Sequence, residues 1–282
     1  MRHIKDRRFG EERALYGLRD ATVENCRFEG VEDGESALKE AREIEIENTV
    51  FHLRYPLWHV VGAKLSEFTM SESCRAPLWY AADVSVHDGK IYGTKALREC
   101  ANVHLEASEV KSDEFGWFCR DLSLDNSDFE GAYFLFHSTD LSLRNVSLTG
   151  KYSFQYVKNV QIYDSILDTK DAFWHSENVT VYNSTVKGEY LGWYAKNLRL
   201  VNCRIEGTQP LCYCKDLVLE NCTMTGCDLS FEYSSVTADV KGRIDSVKNP
   251  LSGKIVADEI GDILFDENRR DGGNAEVSVR ES

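Results

Sequence analysis

The sequence predicts an all-β parallel β-helix, a solenoid of coils about 19 residues long. Three observations predict it: a phrase recurring at a constant step, an apolar alternation inside each copy, and a small polar residue that ends each alternation. The phrase stands in LSLDNSDFEG, LSLRNVSLTG, VQIYDSILDT, VTVYNSTVKG, LRLVNCRIEG and LVLENCTMTG. Its anchor residues are Asn126, Asn145, Asp164, Asn183, Asn202 and Asn221, each 19 residues after the last. Read backwards, the register continues through Ala107, Asp88, Glu67, Asn48 and Asn25, at steps of 19, 19, 21, 19 and 23.

Apolar residues stand two and four before the anchors, as in Leu122 and Leu124, Val160 and Ile162, or Leu198 and Leu200. That two-residue alternation is a strand with one buried face. Three after the anchor a second apolar column runs through Phe28, Phe51, Met70, Ile91, Val110 and Phe129. Glycines five after the anchor (Gly30, Gly93, Gly131, Gly150, Gly188, Gly207, Gly226) mark a turn with positive φ. A leucine-rich repeat would need its own leucine spacing and a helical return, and the sequence has neither. Coils pairing at ~4.8 Å place identical columns on one another, so the Asn side chains align into a hydrogen-bonded ladder and the coils span on the order of 50 Å.

The ends follow from where the register fades. A single domain of 1–265 is expected, with an N-terminal cap at 1–20, regular coils at 21–248 and a C-terminal coil or cap at 249–265. Residues Glu11 to Tyr16 give the cap a short amphipathic piece, and the 23-residue step holds a helical turn at Gly34 to Glu40. The last apolar run is Ile260 to Phe265, and 266–282 is a loose polar tail. Such flanks would cover the strand edges of an open solenoid.

Composition narrows the partners. No run of apolar residues is long enough to span a membrane, so no membrane partner is expected. With 33 basic and 47 acidic residues the net charge is −14, which opposes binding to nucleic acid. The N-terminal stretch is charged with no apolar segment behind it, which places the protein in the cytoplasm. Nine cysteines agree with a reducing compartment and free thiols. Cys212, Cys214, Cys222 and Cys227 lack the paired Cys-x-x-Cys spacing of a zinc site, so neither metal nor cofactor is expected. Cys203 and Cys222 share a column, as do Cys100 and Cys119; their spacing suits a disulfide, but a reducing cytosol favours packed thiols. Ser36 to Lys39 matches Ser-x-x-Lys without its partner motifs and reads as a helix start after Asp33-Gly34.

Two constellations could carry function. Nine before the anchor runs a column that holds every tryptophan: Trp58, Trp79, Trp117, Trp174 and Trp193, with Arg98, Phe136 and Gln155 among them. Its neighbour reads His59, Tyr80, Glu99, Phe118, His137, Tyr156, His175, Tyr194 and Tyr213. The charged members would be costly inside, so both columns are expected to face out at a bend. They form either an aromatic ridge able to stack sugars or other planar ligands, or a stack that holds the coils in register. The second constellation is on the outward strand face. Glu106 and Asp125 lie one coil apart, flanked by His104 and Arg144, and could share an acid/base role in glycoside cleavage. A solvated charge ladder is the competing reading, and the regular coil length leaves no long loop to wall a cleft.

With Arg13-Ala-Leu-Tyr16, Asp33-Gly-Glu-Ser-Ala-Leu-Lys39-Glu40 and Tyr55-Pro-Leu-Trp-His59, the chain resembles an uncharacterised bacterial family of single-stranded right-handed β-helices within the pectate-lyase-like superfamily fold. The resemblance implies the right hand of the helix. It supplies no activity, and the lyases, hydrolases and esterases of the wider superfamily are fold-level analogy. Two functions follow. One is a carbohydrate- or sugar-interacting protein using the ridge, without established catalysis, glycoside hydrolase or lyase-like if it is an enzyme. The other is a structural or interaction module whose ridge is a core stack or a homo-oligomer interface.

Overall fold

The computed structural model describes residues 2–31, 34–269 and 273–281. Among them there is no α-helix, and none of the secondary structure is long and apolar enough to be a membrane-crossing helix. The described residues form 26 strands, and they pair in parallel. The chain is a parallel β-helix in which strands pair with their equivalents one coil away: Val103 with Leu122, Leu105 with Leu124, and Val179 with Leu198. Contacts divide it into two compact units, Met1–Ser142 and Leu143–Ser282.

In the first unit each coil has three sides. A six-residue strand such as Ala101–Glu106 buries Val103 and Leu105 and turns Asn102, His104 and Glu106 outwards. The anchor Ala107 then takes φ 51°, and the short strand Glu109–Lys111 buries Val110. The third side has no strand geometry. Glu114, Gly116 and Phe118 have positive φ, and their N–H groups point alternately up and down: Glu114 donates to Ala132, Gly116 back to Ala96, and Phe118 to Phe136. This alternation satisfies the backbone in both directions without a pleated strand.

Stacked identical residues fill the core. In the first unit the Phe9 and Phe28 rings lie 5.1 Å apart and Phe28 and Phe51 4.8 Å apart. In the second unit Phe154 and Phe173 lie 4.9 Å apart. Small hydroxyls or thiols occupy the inward corner after the anchor, where each accepts an N–H from the preceding coil, as Ser108 N does to Ser127 Oγ at 3.0 Å. Six cysteines sit at inward corners, three just after the anchor (Cys26, Cys203, Cys222) and three seven before it (Cys100, Cys119, Cys214); Cys100 N donates to Cys119 Sγ at 3.4 Å, and Cys203 donates to Val181 O at 3.4 Å. All nine are free and buried. Burial pushes the Cys74, Cys212, Cys214 and Cys227 thiols up to about 12, away from the reactive thiolate.

The anchor ladder is present in both units. Asn48 Nδ2 donates to Asn25 Oδ1 at 2.6 Å in the first, and Asn221 Nδ2 to Asn202 Oδ1 at 2.6 Å in the second. The anchor itself takes positive φ, 52° at Asn25 and 55° at Asn202, which is why Asn and Asp dominate there. Of the seven glycines five residues on, Gly131, Gly188, Gly207 and Gly226 have positive φ as expected, but Gly30, Gly93 and Gly150 do not. At Gly30 and Gly93 the cause is close approach, since a Cβ would stand 2.7 Å from Gly10 Cα and 1.8 Å from Cys74 O, and Gly150 lies within the strand Ser147–Lys151.

The ends differ from expectation. In place of a cap, the described residues from Arg2 onward form a further coil: Arg2–Lys5 pairs with the strand Arg19–Glu24, Arg8–Phe9 pairs with Arg27–Phe28, and Asn25 Nδ2 donates to Asp6 Oδ1 at 3.2 Å. Glu11 to Tyr16 is that coil's third side, with positive φ at Arg13 and Leu15. Gly34 to Glu40 is likewise no helical turn, because Ser36, Leu38 and Glu40 have positive φ and hand their N–H groups to neighbouring coils. Asp33 lies outside the described residues. At the other end Ser252–Leu264 continues the coils. The polar tail supplies a strand, Glu276–Val279, pinned where Arg280 meets Asp239 at 2.7 Å and Asp258 at 2.8 Å.

The ladder should be measurable in stability. Asn202 accepts from Asn221 and donates to Asn183 at 3.1 Å. Asn202→Ala loses both bonds and keeps a Cβ in the left-handed region, so urea unfolding should show a loss of about 2–4 kcal/mol. Asn202→Gly relieves the backbone strain and should lose clearly less.

Candidate functional site

The two aromatic columns lie on the third side of the coil, and both reach solvent. The tryptophans are half-buried. In the first unit Trp58 and Trp79 stack at 5.2 Å and 4°, and Trp117 packs on Phe136 at 5.0 Å. Arg98 takes a ring's place between them, its guanidinium 4.7 Å from the Trp79 ring and 4.8 Å from the Trp117 ring. In the second unit Trp174 and Trp193 stack at 5.4 Å and 4°. Each indole N–H donates to a backbone carbonyl of the next coil: Trp58 to Ala76, Trp79 to Lys95, Trp117 to Tyr133, Trp174 to Tyr190 and Trp193 to Gln209. Those five bonds fix the rings and consume their polar edge.

The outer column is more exposed. His59 stacks on Tyr80 at 4.7 Å, and Phe118 on His137 at 5.5 Å. In the second unit Tyr156, His175, Tyr194 and Tyr213 form an unbroken ladder with steps of 4.9, 4.9 and 4.8 Å. Rings at the coil repeat spend their faces on one another, so what they offer to solvent is mainly their rims. Burial and the Glu232 carboxylate push the Tyr213 phenol up to about 12.

On the strand face of the first unit, three of the four candidate acid/base residues meet. His104 Nε2 is 3.8 Å from Glu106 Oε2, and its Nδ1 is 3.6 Å from Asp125 Oδ2. His87 Nδ1 approaches Glu106 Oε2 at 3.7 Å from the other side, and Ser123 Oγ donates to Asp125 Oδ2 at 2.9 Å. Arg144 belongs to the second unit; its partners there are the Tyr163 ring at 4.6 Å and Asp164 at 3.9 Å. Glu106 is 42% exposed and Asp125 20%, so the cluster stands on an open face.

Beside it lies a groove that the sequence did not announce. It crosses the strands Arg42–Glu47, Val61–Ser66, Ala82–His87 and Ala101–Glu106 and encloses about 610 Å³. Its floor is the strand backbone at Ile44, Ala63 and Val84, whose side chains point into the core, and its polar lining includes Asp20, Glu43, Glu45, Lys64, Asp83, Ser85, Asn102 and His104. A smaller hollow of about 330 Å³ continues it to His87 and Glu106. Ser85 is the short residue in the column of Glu45, Lys64 and His104, and the Glu43 carboxylate lies over Gly62. Five before each anchor a second polar column edges the groove. Asp20, Glu43, Gly62, Asp83 and Asn102 all have positive φ, and Asn102 Nδ2 donates to Asp83 Oδ1 at 2.6 Å. The Asp and Asn recurrence at that offset was the available signal. Among the described residues no group of His, Cys, Asp and Glu could hold a metal ion.

A family model described as a protein of unknown function (DUF3737) matches residues 2–278. The chain belongs to that family. No curated protein matches the sequence. Among solved structures, DUF3737's member here is similar to the A-module of mannuronan C-5 epimerase AlgE4 from Azotobacter vinelandii, at 9% identity and TM-score 0.32, covering 98% of this chain and 89% of that one. A tailspike protein double mutant of E. coli bacteriophage HK620 matches at 8% identity and TM-score 0.40, covering 98% and 72%. The AlgE6 A-module of the same epimerase type from Azotobacter vinelandii matches at 13% identity and TM-score 0.35, covering 99% and 89%.

One carboxyl near the ring ladder has a testable shift. Asp171 is buried at the start of the third side, where its carbonyl accepts from Gln155 Nε2 at 3.3 Å. Burial raises its pKa, with Glu189 adding to the rise and Lys170 opposing it. A carboxyl raised on folding binds its proton more tightly in the folded state, so this contribution is present at low pH and is lost as pH rises through the folded value. Asp171→Asn, which tolerates the same φ of 55°, should therefore stabilise the protein more at pH 7 than at pH 4, as read from paired thermal melts.

Proposed function

We propose that this protein binds an oligosaccharide along the groove of its first unit, without transforming it. The groove carries the reading. Its volume of about 610 Å³ suits a small ligand, and its lining sets carboxylate, ammonium, hydroxyl, amide and imidazole groups around the strand backbone. A polyhydroxylated ring needs such mixed donors and acceptors, and the strand repeat of ~4.8 Å presents them in even steps to a ligand lying across the coils. Four carboxylates (Asp20, Glu43, Glu45, Asp83) against Lys64 and His104 favour a neutral or amino-bearing sugar over a polyanionic one.

The ring ladders supply a second surface for the same ligand class. With their faces stacked, Trp58, Trp79, Trp117, Trp174 and Trp193 contribute rims, and His137, Tyr156, His175 and Tyr194 contribute polar edges. The same rims could instead join two copies of the chain. Sedimentation mass separates the two uses, since twice the monomer mass, lost on changing Tyr156 and Tyr194 together to Ser, would assign the ladder to assembly. Nine free buried thiols and a net charge of −14 support the cytoplasmic placement and the exclusion of nucleic acid.

Catalysis is the second reading, favoured by His104 reaching both Glu106 and Asp125. The chemistry would be glycoside hydrolase or lyase-like. Titration of a neutral and amino-sugar oligosaccharide panel by calorimetry tests the binding reading. Ser85→Trp fills the groove and should weaken binding at least about tenfold with the melting temperature unchanged. Retained affinity in that variant rejects the groove. Product analysis of the same mixtures tests the second reading: turnover that disappears in the Glu106→Gln, Asp125→Asn double variant would convert the binder into an enzyme.

A further inference from the structure

We propose that the break in the outer ring column at Glu99 is a binding site for a guanidinium group. Above and below it the column is aromatic. Tyr80 closes the His59 stack on one side, and Phe118 opens the His137 stack on the other. Backbone hydrogen bonds keep the three coils in step, from Tyr80 N to Arg98 O at 2.8 Å and from Glu99 N to Trp117 O at 2.9 Å. The rings are therefore two coil rises apart, ~9.6 Å. Each neighbouring coil puts a ring into that column, whereas Glu99 brings only two methylenes and a carboxylate. Glu99 is exposed, and its carboxylate has no hydrogen-bond or ion-pair partner among the described residues. Phe118 is 48% exposed, more than Tyr156 at 39% and Tyr194 at 42%.

Two features of the same molecule show what fits. One column inwards, in the same coil, the Arg98 guanidinium occupies the equivalent gap, 4.7 Å from Trp79 and 4.8 Å from Trp117. A flat cation midway between Tyr80 and Phe118 would have the same separations. In the second unit the outer column has no such break, since Tyr213 stacks on Tyr233 at 5.9 Å. An acid of the inner column there, Glu232, already has its cation, because Lys248 Nζ lies 3.1 Å from Glu232 Oε1. At Glu99 nothing in the described residues supplies one. The slot asks for a group that is planar, to lie between two ring faces, and positive, to pair with the carboxylate. A guanidinium meets both demands and can bind the carboxylate through two parallel N–H bonds. An ammonium has the charge without the plane, and a sugar has neither.

The guanidinium could belong to a free metabolite or to an arginine side chain of a partner peptide. The test is an NMR or calorimetric titration of the full chain with N-acetyl-arginine amide, a Gly-Arg-Gly peptide, and the matching lysine and citrulline amides. Saturable binding of the arginine compounds is expected, at least about tenfold tighter than lysine or citrulline. Equal affinity for amide and peptide points to a small molecule, and a clear gain for the peptide points to a protein partner. Glu99→Gln should weaken binding about tenfold at unchanged melting temperature. Glu99→Tyr should complete the ladder, raise the melting temperature and abolish binding. Equal affinity for arginine and lysine, full affinity in Glu99→Gln, or no saturation with either arginine compound overturns the proposal.

Discussion

Everything in this molecule depends on coil-to-coil hydrogen bonding at the parallel-strand repeat, which sets every residue on its equivalent one coil away. A side chain in such a structure is chosen for how it packs on a copy of its own position. Asn suits the anchor because it donates to one neighbour and accepts from the other. Phe suits the core because rings stack with a small offset, and Ser or Cys suits the inward corner because each is both donor and acceptor. Charges obey the same rule: Lys5 pairs with Glu24, Lys64 with Glu45, Lys158 with Glu177, and Lys170 with Glu189, all separated by one coil. An acidic chain with like charges in one column would repel itself along the whole column. The alternation of sign lets the outer face be densely charged, although each exposed pair contributes little alone.

The same rule explains what could be read from the sequence. Strands and anchors were legible because their demands, alternation and a residue tolerant of positive φ, leave recognisable residue types. The third side was not legible. Its left-handed positions are occupied by Leu57, Tyr80, His137 and Phe173, residues that rarely adopt positive φ, and they are held there by inter-coil hydrogen bonds and ring stacking rather than by local preference. For that reason Gly34 to Glu40 looked helical and Glu11 to Tyr16 looked like a cap. The first coil escaped because Arg2 stands four before its anchor, Asp6, where the next coil has Ala21, so Ile4 alone keeps the alternation.

The candidate sites divide along similar lines. His104, Glu106 and Asp125 were legible as a cluster because strand register alone brings them together. Arg144 continues the register in sequence, but its side chain turns to Tyr163 and Asp164 in the second unit. The groove could not be read in advance, since its lining comes from two adjacent columns, Glu45, Lys64, Ser85 and His104 in one and Asp20, Glu43, Asp83 and Asn102 in the other. A hollow in a solenoid face is a property of several coils at once.

Ring stacking also limits what an aromatic ridge can do. A ladder gains stability by covering ring faces, about 0.5–1.5 kcal/mol per pair beyond the area buried, and those are the faces a planar ligand would use. A long uninterrupted ladder such as Tyr156 to Tyr213 is therefore better at holding coils together than at recognition. Recognition by a ring face requires an interruption. Arg98 is an interruption already filled, by its own guanidinium between two indoles. Stability and binding thus compete for the same surfaces, and the position of a break in the column, more than the number of aromatic residues in it, decides where binding can occur.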